Sequence, residues 1–305
     1  MKAPTVTAVA AFDVGGTRVK AALVDVGLQV IASVTVPTPE GIADDPATAL
    51  KPVLEELIDR AEEGVKVVHV GVVVPGLIDD ESGVALLAVN LGWRDLPLRQ
   101  QITDGLGLPA AIGHDVRAGL LAERRLGAAV GAQDVLFVPI GTGIAAALMI
   151  DGHLLNAQGW TGEIGHAIVD PSGALCSCGA RGCLETIASA SAIARRYSAV
   201  TGRKVTASDV AALVDAGTDD AARQVWAEAV DALATVLSTT IIATGADRIV
   251  IGGGLVLSGD TLLEPLRRAV GARMTLGRRP EIVASQLQDR AGCLGAAVLA
   301  WNSYS

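Results

Sequence analysis

Aromatic side chains are scarce in this 305-residue chain, at 3% of all residues, although half of the residues are hydrophobic. Small aliphatic residues therefore dominate, which suits buried strands and closely packed helices. Long hydrophobic runs are also missing. The longest uncharged run, residues 135–150, is interrupted by a proline and two glycines and is too short to cross a bilayer. Near the N-terminus, the apolar residues 8–12 are followed at once by Asp13, a pattern that predicts no signal peptide.

Basic clusters are absent as well. Acidic residues outnumber basic ones by 33 to 24, and the net charge is −9. No run of basic residues is longer than two, as in Arg124-Arg125. We therefore expect no nucleic-acid partner, because neutralising phosphates needs a basic face. The length predicts two domains. The four cysteines come with no other sign of an oxidising compartment, so we predict reduced thiols and a cytoplasmic protein with no membrane partner.

Three of those cysteines lie within eight residues, and a histidine lies ten residues upstream. Three thiolates and one imidazole form a set of ligands that closes a tetrahedral structural zinc site. The alternative is a disulfide between Cys178 and Cys183, which needs an oxidising environment. Two carboxylates, Glu163 and Glu185, flank the cluster. The predicted zinc ligands are His166, Cys176, Cys178 and Cys183.

A pattern of strand, glycine turn and strand occurs twice. Eleven positions separate Val14 from Asp25 in the first copy and Ile140 from Asp151 in the second. Such an internal duplication predicts two similarly built halves. Neither turn is followed by a helix, which excludes a Walker A loop or a dinucleotide fingerprint. The residues of the two turns are Asp13, Gly15, Gly16 and Thr17 in the first, and Gly141, Thr142 and Gly143 in the second.

Two such turns pointing into one cleft can hold a polyphosphate, because glycine lets backbone N–H groups approach phosphate oxygens and threonine adds a hydroxyl donor. Taken alone, each turn is equally well explained as an ordinary glycine turn. Asp13 occurs only in the first copy, where the second has Pro139. This asymmetry predicts that Asp13 holds the hydrated Mg²⁺ of a nucleotide.

Asp115 follows a predicted strand and precedes a predicted helix over residues 116–126. It is either an ordinary N-cap or a general base, whose negative charge the helix N-terminus would stabilise.

Two further stretches are candidate binding sites. Asn90 and Trp93, earlier in the chain, are typical of a carbohydrate site, but an ordinary turn with a buried tryptophan explains them equally well. Residues 249–251 and a following helix flank a glycine triplet that suits the base and ribose of a nucleotide. The triplet is Gly252, Gly253 and Gly254.

Taken together, these motifs resemble the ROK family of sugar kinases, within the actin, Hsp70 and hexokinase superfamily. The resemblance covers nearly the whole chain, and its most specific part is the zinc signature from Gly165 to Glu185. It implies an α/β, two-lobed, ribonuclease H-like fold with an internal duplication and a cleft between the lobes. We expect residues 1–113 and 289–305 to form the N-terminal lobe, and residues 114–288 to form the C-terminal lobe with the catalytic aspartate.

The resemblance also implies roles for single residues. The family's catalytic base corresponds to Asp115, its phosphate loops to the two glycine turns, and its adenosine-side loop to residues 252–254. Its sugar contacts correspond to Gly76, Asn90, Glu163, His166 and Glu185. A sugar is read through its hydroxyl groups, and carboxylates accept hydrogen bonds from these strongly, which is a physical reason for the two glutamates.

The chain departs from the family pattern at two places. His114 precedes the predicted base where the family usually has an asparagine that binds a sugar hydroxyl, so His114 is a candidate substrate contact. The His-Asp pair is similar to that of actinobacterial N-acetylglucosamine kinases. Ala145 and Ala146 follow the second turn, where the family often has another glycine.

We therefore predict an ATP-dependent kinase that uses Mg²⁺ and contains a structural zinc ion. It phosphorylates the 6-hydroxyl of a hexose or N-acetylhexosamine, with N-acetylglucosamine favoured. Glucokinase is the first alternative, and a non-catalytic sugar sensor is the second. The phosphate donor stays open between ATP and polyphosphate. The resemblance implies a homodimer. Some relatives are repressors with a DNA-binding segment, and the short stretch before Asp13 predicts that this chain lacks one.

Overall fold

The structure is a computed structural model that describes residues 6–304, and these form two compact units. Unit 1 comprises the chain up to Ala122, the short segment Asn156–Trp160 and the chain from Arg290 onward. Unit 2 comprises Glu123–Leu155 and Thr161–Asp289. The sequence-based division at residue 114 differs from this, because the structure groups residues 114–122 with unit 1.

In chain order the strands are β1 (Val6–Val14), β2 (Arg18–Asp25), β3 (Val30–Pro37), β4 (Val65–Val74), β5 (Leu77–Asp79), β6 (Val84–Ala88), β7 (Trp93–Leu96), β8 (Ala110–His114), β9 (Val135–Pro139), β10 (Ala147–Ile150), β11 (His153–Leu154), β12 (Arg248–Gly252) and β13 (Glu281–Ala284). The α-helices are α1 (Pro46–Arg60), α2 (Leu98–Leu106), α3 (Asp115–Leu126), α4 (Leu184–Ala188), α5 (Ala190–Thr201), α6 (Ala207–Asp215), α7 (Asp220–Thr244), α8 (Asp260–Arg273) and α9 (Ala291–Tyr304).

The main sheet of unit 1 has the order β3-β2-β1-β4-β8. The first three strands are antiparallel neighbours, whereas β1, β4 and β8 are parallel. Asp13 is paired with Val73, and Val74 with His114, so the carboxyl ends of the three parallel strands lie in register. The sheet therefore places Asp13 and the His114-Asp115 pair along one edge, which is where ligands bind in open α/β sheets.

Both faces of this sheet are covered. One face packs against α1 and α2 through fully buried side chains such as Leu50 and Ile102. On the other face, Ala118 of α3 joins a cluster with Ala11 of β1 and Ala297 of α9. This packing explains why the first turns of α3, including Asp115, belong to unit 1.

The sheet of unit 2 has the order β11-β10-β9-β12-β13. Again the first three strands are antiparallel, and β9, β12 and β13 are parallel. The pattern of directions is the same as in unit 1, strand for strand, which confirms the internal duplication predicted from the two glycine turns. Helices α4–α8 supply a core that includes Tyr197, Trp226 and Leu233.

Helix α7 is long and apolar enough to cross a membrane by length and composition alone. However, 61% of its most apolar stretch is buried inside the protein, and Leu233 and Leu237 are completely inaccessible to solvent. A helix with this burial is the core helix of unit 2.

The sequence of residues 184–200 predicts one continuous helix, but the structure has two helices there, so this prediction is wrong. Ser189 separates α4 from α5 with an extended backbone, and its hydroxyl accepts a hydrogen bond from the backbone N–H of Ala192 at 3.1 Å. The side chain of Ser189 thereby caps α5.

Candidate functional site

The first glycine turn joins β1 to β2 in unit 1. Gly15 donates its backbone N–H to the carbonyl of Arg18 at 3.0 Å, and the hydroxyl of Thr38 donates to the carbonyl of Gly15 at 2.6 Å. Asn90 lies against this turn, because its backbone oxygen is 3.0 Å from where a Cβ would stand on Gly16. The structure thus brings together the first glycine turn, a predicted phosphate site, and a predicted sugar contact that is 74 positions away in sequence.

Asp13 lies at the end of β1, just before this turn, and is partly buried. One carboxylate oxygen is 2.6 Å from where a Cβ would stand on Gly292, so the carboxylate lies against the first turn of α9. The N-terminus of a helix favours a negative charge. An ionised carboxylate beside a phosphate turn fits a hydrated Mg²⁺, which keeps most of its waters and needs few protein ligands.

Asp115 is the first residue of α3, and its side chain is 31% exposed. Its Oδ1 accepts the backbone N–H of Val116 at 2.7 Å. The carboxylate is therefore held at a helix N-terminus while the second oxygen can meet a ligand. Both sequence-based interpretations, cap and base, are compatible with this geometry.

His114 is buried, with 5% of its surface exposed. Its Nδ1 lies 3.2 Å from the backbone N–H of Val116, which it accepts, and 3.4 Å from Oδ1 of Asp115. An accepting Nδ1 assigns the proton of the neutral ring to Nε2. His114 therefore offers a hydroxyl group a single donor, whereas an asparagine would offer a donor and an acceptor.

Asn90 and Trp93 are not the paired carbohydrate contact that their spacing suggested. Trp93 is 2% exposed, and its indole N–H donates to the carbonyl of Ile42 at 2.9 Å. The alternative of a buried tryptophan is the correct one. Asn90 itself is exposed in the short 3₁₀ turn Val89–Leu91.

In unit 2, the second glycine turn is tied to its neighbours on two sides. Gly141 accepts the backbone N–H of Ala190 at 2.8 Å, and the carbonyl of Thr142 accepts the hydroxyl of Ser191 at 2.6 Å. Ile140, just before the turn, donates its N–H to the carbonyl of Gly252 at 2.9 Å. The second glycine turn and the predicted adenosine-side triplet are thus adjacent at the ends of β9 and β12.

Ser189 and Ser191 were not predicted as site residues. They begin α5, and they line a cavity of about 340 Å³ together with Thr142, Cys176 and Glu185. The only local signal in the sequence is the Ser-Ala-Ser run after the cysteine cluster, which is also an ordinary start of a helix.

Glu185, in the first turn of α4, reaches the second glycine turn. Its Oε2 accepts the backbone N–H of Ile144 at 2.8 Å. The same oxygen lies 2.4 Å from where a Cβ would stand on Gly143. Glu185 therefore connects the end of the cysteine cluster to the second glycine turn, a contact that the sequence did not indicate.

The three clustered cysteines and His166 converge within unit 2. Their ligand atoms all lie within 4.8 Å of one another. The Sγ atoms of Cys178 and Cys183 are 3.7 Å apart, and Cys176 Sγ is 3.6 Å from His166 Nδ1. Tetrahedral ligands at zinc bond lengths stand about 3.8 Å apart for two sulfurs, so the donor set and the spacing both fit zinc. A disulfide would need an Sγ–Sγ distance of about 2.05 Å.

The two ring nitrogens of His166 face different groups. Nδ1 points to the cysteine sulfurs, whereas Nε2 is 3.7 Å from a carboxylate oxygen of Glu163. The imidazole is therefore a bridge between the cysteine cluster and a predicted sugar contact. Metal-ligating histidines commonly use their second nitrogen in this way.

The loop that carries the cysteines is folded by its own backbone. Cys176 donates its N–H to the carbonyl of Ala180 at 2.8 Å, and Gly182, with φ of +68°, lies so close to Asp170 that a Cβ would overlap the Asp170 carbonyl. A hydrogen bond from the backbone of Ala180 lowers the pKa of the Cys178 thiol, whereas burial raises the pKa of Cys183 to about 12. Metal binding would have to release the proton of Cys183.

Cys293 is separate from this cluster. It lies in α9, is 8% exposed, and has its thiol 3.7 Å from the carbonyl of Ala11. Burial raises the pKa of the Cys293 thiol to about 12. Cys293 therefore packs as a small buried hydrophobic residue.

Comparison with known proteins gives one consistent family. The model of the ROK family matches residues 9–303. A glucokinase from Halalkalibacterium halodurans is 33% identical over 277 residues, which cover 84% of this chain and 83% of the relative. An N-acetylmannosamine kinase from Citrobacter koseri is 32% identical over 302 residues, 95% of this chain and 97% of the relative.

Among solved structures, a ROK family glucokinase from Streptomyces griseus, in complex with glucose and AMPPNP, superposes with a TM-score of 0.81. The two chains are 28% identical, and the match covers 97% of this chain and 99% of the other. The likeness extends over both units, and it confirms the predicted two-lobed fold.

Proposed function

The chain belongs to the ROK family, and from this premise we propose that it is an ATP-dependent sugar kinase that phosphorylates the 6-hydroxyl of a hexose or N-acetylhexosamine. The observation that carries the proposal is Asp115, a carboxylate that is 31% exposed at the start of α3, on the same sheet edge as Asp13 and the first glycine turn. A sugar sensor has no need of a base at this place.

The reaction assigns one step to Asp115. The sugar O6 attacks the γ-phosphorus, the bond from that phosphorus to the β–γ bridging oxygen breaks, and ADP leaves. The O6 proton passes to the Asp115 carboxylate late, because phosphoryl transfer has a loose transition state. Most of the rate then comes from positioning and charge stabilisation by the two glycine turns, with their backbone N–H groups and the hydroxyls of Thr17 and Thr142.

Two metal ions belong to the proposal. Asp13 would hold the hydrated Mg²⁺ that accompanies ATP and neutralises phosphate charge. The cysteine cluster would hold structural zinc, which has no open position for chemistry when four protein ligands surround it. Its task is to keep His166, with Glu163 beside it, and Glu185 in one arrangement.

We propose N-acetylglucosamine as the favoured acceptor, with glucose as the alternative. The His114-Asp115 pair supports the acetylated sugar, since it is similar to the pair in actinobacterial N-acetylglucosamine kinases. The glucokinase relative and the glucose-bound neighbour support glucose. We further propose a cytoplasmic homodimer, on the resemblance to the family.

An assay coupled to ADP release would test this proposal with glucose, N-acetylglucosamine, mannose, N-acetylmannosamine and fructose as acceptors. We expect turnover on a sugar with a free 6-hydroxyl and none on its 6-deoxy analogue. Replacing ATP by polyphosphate in the same assay identifies the donor. Absence of turnover on all five sugars, with binding detected calorimetrically, would instead support the sugar sensor.

Replacing Gly143 with alanine should weaken catalysis through Glu185. The added methyl group would stand 2.4 Å from Oε2 of Glu185, so the bond from Ile144 N–H must break or the turn must shift. We expect a drop in kcat/KM of about tenfold or more, since displacing a reacting group by about 1 Å can cost 10² in rate. Steady-state kinetics with varied ATP and varied sugar would measure it.

Gly141→Ala is the matched control, because no heavy atom lies within 4 Å of a Cβ at that position. We expect a smaller loss in this variant than in Gly143→Ala. Equal losses in the two variants would mean that contact with Glu185 is not the cause.

A further inference from the structure

Arg117 is almost completely buried, with 2% of its surface exposed. It lies in the first turn of α3, two residues after Asp115. A buried guanidinium is costly unless its charge is paired and its donors are used. The proposed reaction gives Arg117 no task, so its burial calls for another explanation.

The partner of Arg117 is Asp80, just after β5. Nε donates to Oδ2 of Asp80 at 3.1 Å, and a terminal nitrogen donates to Oδ1 at 2.9 Å. This is a two-point pair, which fixes orientation as well as distance. The same nitrogen donates to the carbonyl of Ile78 at 2.7 Å. Arg117 thus holds the backbone of β5 and the residue that follows it.

The segment held by Arg117 begins at a predicted sugar contact. Gly76 directly precedes β5, and its backbone lies so close to Leu87 of β6 that a Cβ there would stand 2.2 Å from the Leu87 carbonyl. Asp80 is only 22% exposed, and it approaches Gly113 of β8, one residue before His114. The helix that carries the base and the turn that carries Gly76 are therefore fastened to each other by one side chain.

We propose that Arg117 is a positioning residue, which through Asp80 and Ile78 fixes Asp115 relative to the Gly76 turn and so sets the approach of the base to the sugar hydroxyl. The proposal rests on Asp115 being the base. Lysine cannot replace arginine in this role, because an ammonium group does not match a carboxylate at two points and cannot reach the Ile78 carbonyl in the same geometry.

The test compares Arg117→Lys and Asp80→Asn with Asp79→Asn. Asp79→Asn is the matched control, because it removes the same charge one residue away from Asp80. The Asp79 carboxylate accepts hydrogen bonds within its own turn, from the Ser82 hydroxyl and the Glu81 N–H. For the first two variants we expect kcat to fall by about tenfold to a hundredfold, with the KM for ATP within about twofold of wild type. The control should keep the wild-type kcat.

A double variant separates the effect on positioning from an effect on stability. Circular dichroism melts establish that each variant is folded at the assay temperature. If a single variant does not fold because it leaves a buried charge unpaired, the double variant Arg117→Met/Asp80→Leu removes both charges and keeps the volume. We expect it to fold and still show the loss of kcat.

The inference is overturned if folded Arg117→Lys or the double variant retains wild-type kcat, or if Asp79→Asn loses as much kcat as the first two variants. Asp115→Asn distinguishes the two levels, because its inactivity together with a fully active Arg117→Lys would leave the proposed function standing and remove only this inference.

Discussion

Asp115→Ala is expected to lose detectable turnover while it retains most of its affinity for sugar. General-base assistance contributes roughly 10²–10⁴-fold to a rate, and a loss of that size takes a sugar kinase below the limit of a coupled assay. Sugar affinity should change little, because one carboxylate among many hydroxyl-binding groups is removed. Steady-state kinetics gives the first quantity and isothermal titration calorimetry the second.

The alanine variant also removes the hydrogen bond that the side chain accepts from Val116 N–H, which is worth about 1 kcal/mol of stability. Asp115→Asn separates the two effects. The asparagine keeps an oxygen that accepts the Val116 N–H at the helix N-terminus, but it cannot take a proton. Asp104→Ala, at an exposed position in α2, controls for the loss of an acidic residue. If either Asp115 variant turns over at more than a tenth of the wild-type rate, Asp115 is not the base.

Much of the fold could be predicted because the deciding signals are local. Hairpins with glycine turns and alternating apolar strands repeat at a constant offset, and the order of strands in both sheets agrees with that duplication. The break at Ser189 was missed because Ala and Ile on both sides continue a helical pattern, while the hydroxyl that ends one helix also starts the next.

The division between the units was harder to predict, because it depends on packing between distant segments. A sequence boundary at residue 114 places Asp115 with the residues that follow it. In the structure, α3 packs through Ala118 against β1 and α9, and Gly295 of α9 approaches the carbonyl of Ala118 too closely for any side chain. The small residues that make this contact possible are 177 positions apart in the chain.

The candidate site shows the same contrast. Motifs predicted the two glycine turns, the cysteine cluster and Asp115 as site residues, since each consists of neighbouring residues with a recognisable chemistry. The connections between motifs were not visible, because they join residues far apart in sequence. Glu185 and Ile144 are 41 positions apart, and Arg117 and Asp80 are 37 apart. Nothing in the types of these residues distinguishes such a pair from solvated surface charges.

Removing the predicted zinc ion should destroy sugar binding before it unfolds the protein. Structural zinc contributes roughly 10–16 kcal/mol in small peptides that fold around it. Unit 2 has a separate core built on α7, so loss of the ion should disorder the loop alone. The loop orients sugar contacts at both ends: His166 Nε2 lies 3.7 Å from Glu163, and Glu185 follows Cys183 by two residues. Cys178→Ser changes the exposed ligand and perturbs packing least.

The experiment measures zinc content by mass spectrometry, sugar affinity by calorimetry and folding by circular dichroism, for wild type, chelated wild type and Cys178→Ser. We expect bound zinc and sugar affinity to be lost together, with the affinity falling by at least about tenfold while the helical signal persists, because losing a supporting contact alone costs 10–100-fold at metal sites. Cys293→Ala is the matched control, since it removes a thiol outside the cluster and should retain both zinc and affinity.

A zinc-free sample with unchanged sugar affinity would refute the coupling between zinc and sugar binding. The absence of zinc from the purified wild type would refute the assignment of the metal. If the coupling holds, the cysteine cluster serves binding while Asp115 serves the chemical step, so zinc removal should mainly change sugar affinity and Asp115→Asn should mainly change kcat.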